Sequence, residues 1–93
     1  MQRGDMQQII KRIERMERLY DEVHAAIHAD AAPDVRIAEK IRALEAYLDS
    51  GRWLEDYERD ERGELPEGLK RGVLSQDGLY NLLTDIREKE KEA

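Results

Sequence analysis

The chain of 93 residues contains no cysteine and no phenylalanine, and it has one tryptophan and two prolines. The absence of cysteine excludes disulfide bonds, thiolate catalysis and zinc sites built on cysteine. No apolar run approaches the ~18 residues of a membrane-spanning helix, and the N-terminus lacks the apolar segment of a signal peptide. From these absences we expect a cytoplasmic protein without membrane association.

The net charge of −6 is concentrated in the middle of the chain, where residues 30–66 carry eleven acids and six bases. The regions on either side are nearly balanced, with five acids and five bases in residues 1–29 and six acids and five bases in residues 67–93. Direct binding to nucleic acid requires a cationic face, as does binding to an anionic membrane surface. The charge pattern argues against both kinds of partner.

Hydrophobic periodicity predicts a single all-α domain. Four helices are predicted, over residues 5–29, 33–49, 52–62 and 76–88. Asp5 and Ser75 are predicted to cap the first and last of them, and the charged residues 89–93 are predicted to fray. Because a short turn at residues 30–33 joins the two long helices, we expect them to form an antiparallel hairpin that the two shorter helices cap.

A heptad seam follows the first helix, with apolar residues alternately three and four positions apart. Such a seam packs either within a hairpin of the same chain or against a second subunit. The spacing suits either arrangement. The hairpin is the favoured interpretation, and the alternative is a seam shared with another subunit, as in a homodimer through the first helix, or with a different partner. The seam consists of Ile9, Ile13, Met16, Tyr20, Val23 and Ile27.

Trp53 and Tyr57 are four residues apart and therefore share a face of the third helix. We expect Trp53 to pack over the open end of the hairpin, so that Trp53→Ala destabilises the fold by roughly 3–5 kcal/mol. The predicted structural anchors are Trp53, Tyr57, Leu65, Leu69, Leu74, Leu79 and Leu83.

Six acids crowd residues 55–64, and only Arg59 and Arg62 offset them. The cluster is interpreted either as a surface that docks a basic partner or as a solvated helix face with some acids paired to nearby bases. A calcium loop is disfavoured, because an EF-hand requires glycine at the sixth position and Glu61 stands there when the loop begins at Asp56.

Two smaller groups of polar residues have competing interpretations. Lys70 and Arg71 precede a predicted helix N-terminus, where cations and backbone N–H groups can hold an anion. The favoured interpretation is that they pair with the acids of residues 55–64 in an internal salt-bridge network. His24 and His28 have the spacing of a metal-binding pair, but exposed imidazoles near a helix C-terminus are favoured.

The run from Trp53 to Leu83 has the pattern W-x-x-D-Y-E-x-D-E-x-G-x-L-P-x-x-L-K-R-G-V-L-S-x-D-x-L-Y-x-L-L. This pattern covers about a third of the chain and resembles the small bacterial family catalogued as domain of unknown function 4298. The resemblance implies a helical protein from a bacterium or a phage. It implies no activity.

The leading functional hypothesis is a non-enzymatic cytoplasmic protein, without a cofactor, that binds a protein partner. It uses the heptad seam or an acidic surface, whose candidate residues are Glu55, Asp56, Glu58, Asp60, Glu61, Lys70 and Arg71. One alternative is a small-anion or metal-binding site, possibly catalytic, built from Lys70, Arg71 and the acids. The other is an acidic inhibitor that mimics nucleic acid, of the phage counter-defence type. Nucleophilic catalysis has little support, because both serines lie at predicted helix boundaries.

Overall fold

The computed structural model describes residues 2–29, 34–75 and 77–92, with side chains for residues 6–29, 34–75 and 77–89. Within these ranges the chain is all-α, as predicted, and contains no strand. The helices are α1 (Gln2–His28), α2 (Val35–Asp49), α3 (Arg52–Glu61) and α4 (Gly78–Glu92). None of these described helices is long and apolar enough to cross a membrane.

The helices α1 and α2 pack against each other as an antiparallel hairpin. Arg12 of α1 and Tyr47 of α2 meet at one carboxylate near one end of the pair. Near the other end, Lys40 Nζ lies 2.8 Å from Glu22 Oε1. The predicted turn at residues 30–33 lies outside the described residues. The helix α1 begins at Gln2, so the prediction that Asp5 caps it is wrong. The helix can extend before Asp5 because no proline interrupts it there, and because its single glycine, Gly4, costs only about 1 kcal/mol relative to alanine.

Local hydrogen bonds define both ends of α2. The Asp34 carboxylate accepts a hydrogen bond from the Ile37 N–H at 2.9 Å, which makes Asp34 the N-cap rather than a first-turn residue. Pro33, the predicted start of this helix, lies outside the described residues. At the other end Ser50 is the C-cap, and Gly51 adopts a left-handed φ of 87° that residues with a Cβ rarely adopt. The predicted end of this helix at residue 49 is confirmed.

A loop of residues 62–75 follows α3, which ends at Glu61 just before the left-handed Gly63. Ser75 Oγ accepts a hydrogen bond from the Gly78 N–H at 3.1 Å, as expected of the predicted cap. The predicted start at Gln76 lies outside the described residues. The helix α4 extends to Glu92, where a frayed tail was predicted from residue 89. Glu and Lys are good helix formers, which accounts for the added turn.

The core lies between the hairpin and α4. Ile9, Ile13, Met16 and Val23 of the heptad seam are buried, and Tyr20 and Ile27 are half-buried against the same core. Burying each such aliphatic side chain stabilises the fold by about 1.5–3 kcal/mol. The seam therefore packs within the chain, as the favoured hairpin interpretation predicts. The other core residues are Leu44, Tyr47, Leu65, Val73, Leu74, Leu79, Leu82, Leu83 and Ile86.

The predicted anchors fall into two groups by exposure. Leu65, Leu74, Leu79 and Leu83 are buried. Trp53 and Leu69 are half-buried and pack against the core, and Tyr57 is half-buried beside Trp53. Trp53 is thus less enclosed than a core aromatic residue.

Candidate functional site

The short helix α3 has two faces of different character. Its inner face, which we define as Trp53, Asp56, Tyr57 and Asp60, is buried or half-buried. Its outer face, which we define as Leu54, Glu55, Glu58 and Glu61, is exposed. The acidic cluster that the sequence presents as one run is therefore divided between the interior and the surface.

Asp56 is completely buried and accepts hydrogen bonds from three side chains. Its Oδ1 accepts from Arg12 Nη2 at 2.6 Å and from Arg59 Nη1 at 3.3 Å. Its Oδ2 accepts from Arg12 Nε at 3.0 Å and from the Tyr47 hydroxyl at 2.6 Å. A buried carboxylate is tolerated when it is paired and hydrogen-bonded in this way. The prediction that Asp56 belongs to an interaction surface is wrong, because this carboxylate joins α3 to the hairpin.

The same network shifts the proton affinity of its donors. Burial, and then the hydrogen bond to the Asp56 carboxylate, raises the pKa of Tyr47 far above its ordinary value. The hydrogen bond to Asp56 likewise raises the pKa of Arg12. Both side chains therefore remain protonated donors to Asp56 at any physiological pH.

The backbone N–H and C=O of Val73 are bound from two helices at once. Its carbonyl accepts a hydrogen bond from Trp53 Nε1 at 2.8 Å, and its N–H donates to Glu17 Oε1 at 2.8 Å. The rings of Trp53 and Tyr57 stack with centroids 5.1 Å apart, so their predicted common face is confirmed. Trp53 and the buried Glu17 therefore hold the 62–75 loop against α1 and α3.

Asp60 and Arg71 form an ion pair, as predicted by the interpretation that Lys70 and Arg71 pair with the acids of residues 55–64. Arg71 Nε lies 3.3 Å from Asp60 Oδ1, and Arg71 Nη2 donates to the Pro66 carbonyl. The predicted network is confirmed for this pair, whereas Asp56 pairs with Arg12 instead. Arg71 is thus engaged within the chain, and Lys70 is exposed.

Lys70 lies at the edge of an open groove of about 350 Å³ between α1 and the 62–75 loop. Three carboxylates, from Glu14, Glu17 and Asp21, line this groove beside the cations of Arg18 and Lys70. Burial, and then the neighbouring Glu17 and Asp21, raises the pKa of Tyr20. A small anion in this groove would meet more carboxylates than cations, so the electrostatics of the groove do not favour the alternative of an anion site at Lys70.

His24 and His28 are exposed neighbours on α1, with ring centroids 4.1 Å apart. Within the part of the chain that the structure describes, no group of three or more His, Asp or Glu side chains is arranged to hold a metal ion. The pair contains only two of the three or four protein ligands that zinc sites use.

The outer face of α3 combines an exposed apolar side chain with unpaired acids. Leu54 is 51% exposed. Glu58 and Glu61 follow it at the four- and seven-residue spacings that place side chains on one helix face, and Glu55 lies beside them. None of the three glutamates forms an ion pair with another described residue. By contrast, the exposed Glu64 pairs with Arg62 at 2.7 Å, which lowers the pKa of Glu64.

Sequence reasoning missed Arg12, Glu17 and Tyr47, which hold the inner face and the loop. Arg12 lies 44 positions from Asp56 and Glu17 lies 56 positions from Val73, and no local pattern links residues so far apart. The burial of Asp56 did have a local signal. It lies three residues after Trp53, on the side of the helix that the aromatic residues occupy.

A family model described as Domain of unknown function (DUF4298) matches residues 5–92. The match extends well beyond residues 53–83, whose pattern carries the resemblance, and includes the whole hairpin. No curated protein and no solved structure matches the chain.

Proposed function

We propose a function from the premise that the chain belongs to the family of Domain of unknown function (DUF4298), whose description assigns no activity. The chain is a non-enzymatic helical module that binds another protein through the outer face of α3. One observation carries this proposal: Leu54 is half exposed among three glutamates that have no ion-pair partner within the described residues.

The inner face of α3 supports this function by fixing the position of the outer face. Asp56 is bound by Arg12 and Tyr47 of the hairpin, and Trp53 is bound to the loop. A surface held in one orientation loses little conformational freedom on binding. The outer face therefore presents its acids and its leucine to a partner in a preorganised arrangement.

The chemistry of the outer face specifies the kind of partner. Glu55, Glu58 and Glu61 attract lysine and arginine side chains, and Leu54 requires an apolar contact at the centre. Charge complementarity of this kind accelerates association and weakens with added salt. The partner that we propose is a basic protein surface with an apolar patch, in the bacterial cytoplasm.

The two alternative functions have less support. Arg71, one of the two cations predicted to bind an anion, is engaged with Asp60 and the Pro66 carbonyl. A nucleic-acid mimic requires a continuous acidic surface, whereas 16 bases are distributed along this chain of net charge −6. No specific contact in the described residues favours either alternative over partner binding.

Affinity capture of the tagged protein from its own host at low salt tests the proposal. The informative variant carries Glu55→Lys, Glu58→Lys and Glu61→Lys. Its matched control carries Asp49→Lys, Glu67→Lys and Glu88→Lys, three exposed acids outside the outer face. We expect the wild type and the control to capture a stoichiometric partner that the outer-face variant loses. Equal capture by all three proteins would mean that the outer face is not the binding surface.

A further inference from the structure

One face of the α1–α2 hairpin is only partly covered by α3. Arg12 and Tyr47 lie on this face and hold Asp56 of α3. Along α1, Leu19 follows Arg12 by seven residues, and along α2, Ala43 precedes Tyr47 by four. Residues at these spacings share a helix face. The hairpin face therefore continues beyond α3, towards the end of the hairpin where Lys40 and Glu22 pair.

This continuation forms an open groove of about 290 Å³, which we call the hairpin groove. Leu19 and Ala43 are half-buried and give it apolar walls. Arg15 and Arg36 are exposed and form no ion pair within residues 6–29, 34–75 and 77–89. Two cations without an ion-pair partner in those ranges therefore line the groove, together with Lys40, which is paired with Glu22, and one carboxylate. The lining residues are Arg15, Leu19, Arg36, Glu39, Lys40 and Ala43.

We propose that the hairpin groove binds the outer face of α3 from a second copy of this chain. This inference rests on the proposed function of the outer face and names a partner for it. The two surfaces are complementary, because Leu54 matches the apolar walls and the unpaired glutamates match Arg15 and Arg36. The same hairpin face already binds an acid of α3 within each chain, through Arg12 and Asp56.

The contact joins two different surfaces, so after a single contact one chain retains an unused outer face and the other retains an unused groove. Such head-to-tail contacts produce rings where the rotation closes and longer chains where it does not. Charge pairs at an exposed rim are screened as salt rises, since the Debye length is only about 10 Å at 0.1 M. We therefore expect self-association that grows with protein concentration and disappears at high salt.

Sedimentation velocity over a range of protein concentrations at low salt tests this proposal. We expect the mean mass of the wild type to rise to at least twice the 10.9 kDa of one chain. The groove variant Arg15→Glu/Arg36→Glu and the outer-face variant Glu55→Lys/Glu58→Lys are each expected to remain monomeric. The control variant Arg42→Glu, exposed on α2 outside the groove, is expected to associate like the wild type.

A mixture of the two double variants gives the sharpest result. The groove variant keeps an intact outer face and the outer-face variant keeps an intact groove, so these two surfaces can still meet. We therefore expect the mixture to associate although neither variant does so alone. Thermal unfolding of each variant, followed by circular dichroism, confirms that these surface changes leave the fold intact.

A wild type that remains at the monomer mass throughout would overturn this inference, as would a groove variant that associates normally. Neither result bears on the proposed function, because host capture with the outer-face variant tests that separately. Loss of the captured partner together with a monomeric wild type would mean that the outer face binds a different protein.

Discussion

Both faces of α3 combine acids with apolar or aromatic side chains, but the inner face is enclosed by the fold and the outer face is exposed to solvent. Asp56 on the inner face is fully buried and takes three side-chain donors, whereas Glu58, two residues later, is exposed and has no ion-pair partner within the described residues. Trp53 on the inner face binds the loop through Nε1, while the neighbouring Leu54 is exposed. A single turn of α3 therefore contains an acid that stabilises the fold and acids that are exposed to solvent.

The acidic run in the sequence therefore combines two kinds of acid: those that are bound within the fold and those that are exposed to solvent. The inner acids require donors from α1, α2 and the loop, because a buried charge without partners is strongly unfavourable. The outer acids require no partner for the fold, since water solvates them. Substitutions that look equivalent in the sequence are therefore expected to separate into effects on stability and effects on binding.

The largest effect is expected from Asp56→Ala. This change leaves the guanidinium of Arg12 and the hydroxyl of Tyr47 without their acceptor, and breaking a buried pair in this way costs about 3–5 kcal/mol. Glu58→Ala is the matched control on the outer face and is expected to change stability by less than about 0.5 kcal/mol. Urea unfolding followed by circular dichroism compares the two, and equal stabilities would contradict the assignment of the faces.

The next effect is expected from Trp53→Ala. Because Trp53 is half-buried, we expect a loss of about 3 kcal/mol, at the low end of the range for a large aromatic core residue. Trp53→Phe retains an aromatic ring that can stack on Tyr57 and loses the hydrogen bond to Val73, so it is expected to cost about 1 kcal/mol. A melting curve of Trp53→Ala that matched the wild type would mean that the loop is held without this side chain.

A smaller, pH-dependent effect is expected from Tyr47→Phe. At neutral pH this change removes a hydrogen bond to a charged acceptor, which costs about 1.5–3 kcal/mol. The pKa of Tyr47 is raised on folding, so its contribution is complete below the unfolded pKa of about 10 and is lost as pH rises above it.

Above that pH the unfolded state releases a proton that the folded state keeps. The stability of the wild type should therefore fall by up to about 1.4 kcal/mol for each pH unit on account of this tyrosine. Urea unfolding between neutral and alkaline pH should give a shallower decline for Tyr47→Phe. Parallel curves for the two proteins would mean that Tyr47 ionises equally in both states.

The smallest effect on stability is expected from Glu55→Lys, Glu58→Lys and Glu61→Lys on the outer face. Each is expected to change the free energy of unfolding by less than about 0.5 kcal/mol, because these side chains are exposed and form no ion pair with another described residue. A thermal melt of the triple variant tests this. A large destabilisation would mean that the outer face contributes to the fold, and the comparison of the two faces would fail.

Much of the fold was predictable because local patterns specify it. The heptad spacing located α1 and its buried side, and the predicted ends at residues 49 and 62 lie within one residue of the ends of α2 and α3. Ser75 caps the last helix as predicted. The end of α4 was misplaced because charge alone does not distinguish a solvated helix from a frayed tail.

The site was less predictable because its contacts join distant parts of the chain. The spacing of Trp53 and Tyr57 predicted which side of α3 faces inward. Nothing local indicated that Arg12 supplies the cation for Asp56, or that Glu17 reaches the Val73 N–H. Such pairings depend on how the helices dock, which periodicity within one helix does not specify.

The backbone of Val73, which is bound through both its N–H and its C=O, has a consequence for the order in which the protein folds. Its two hydrogen bonds close segments of 56 and 20 residues, and the entropic cost of closing a segment rises with its length. These bonds are therefore expected to form late, after α1 and α3 have docked. Val73 lies outside every helix, yet deuterium exchange at its amide should be slow, because exchange requires the loop to detach from Glu17. The exchange rate of this one amide therefore reports whether the 62–75 loop is packed against α1 and α3.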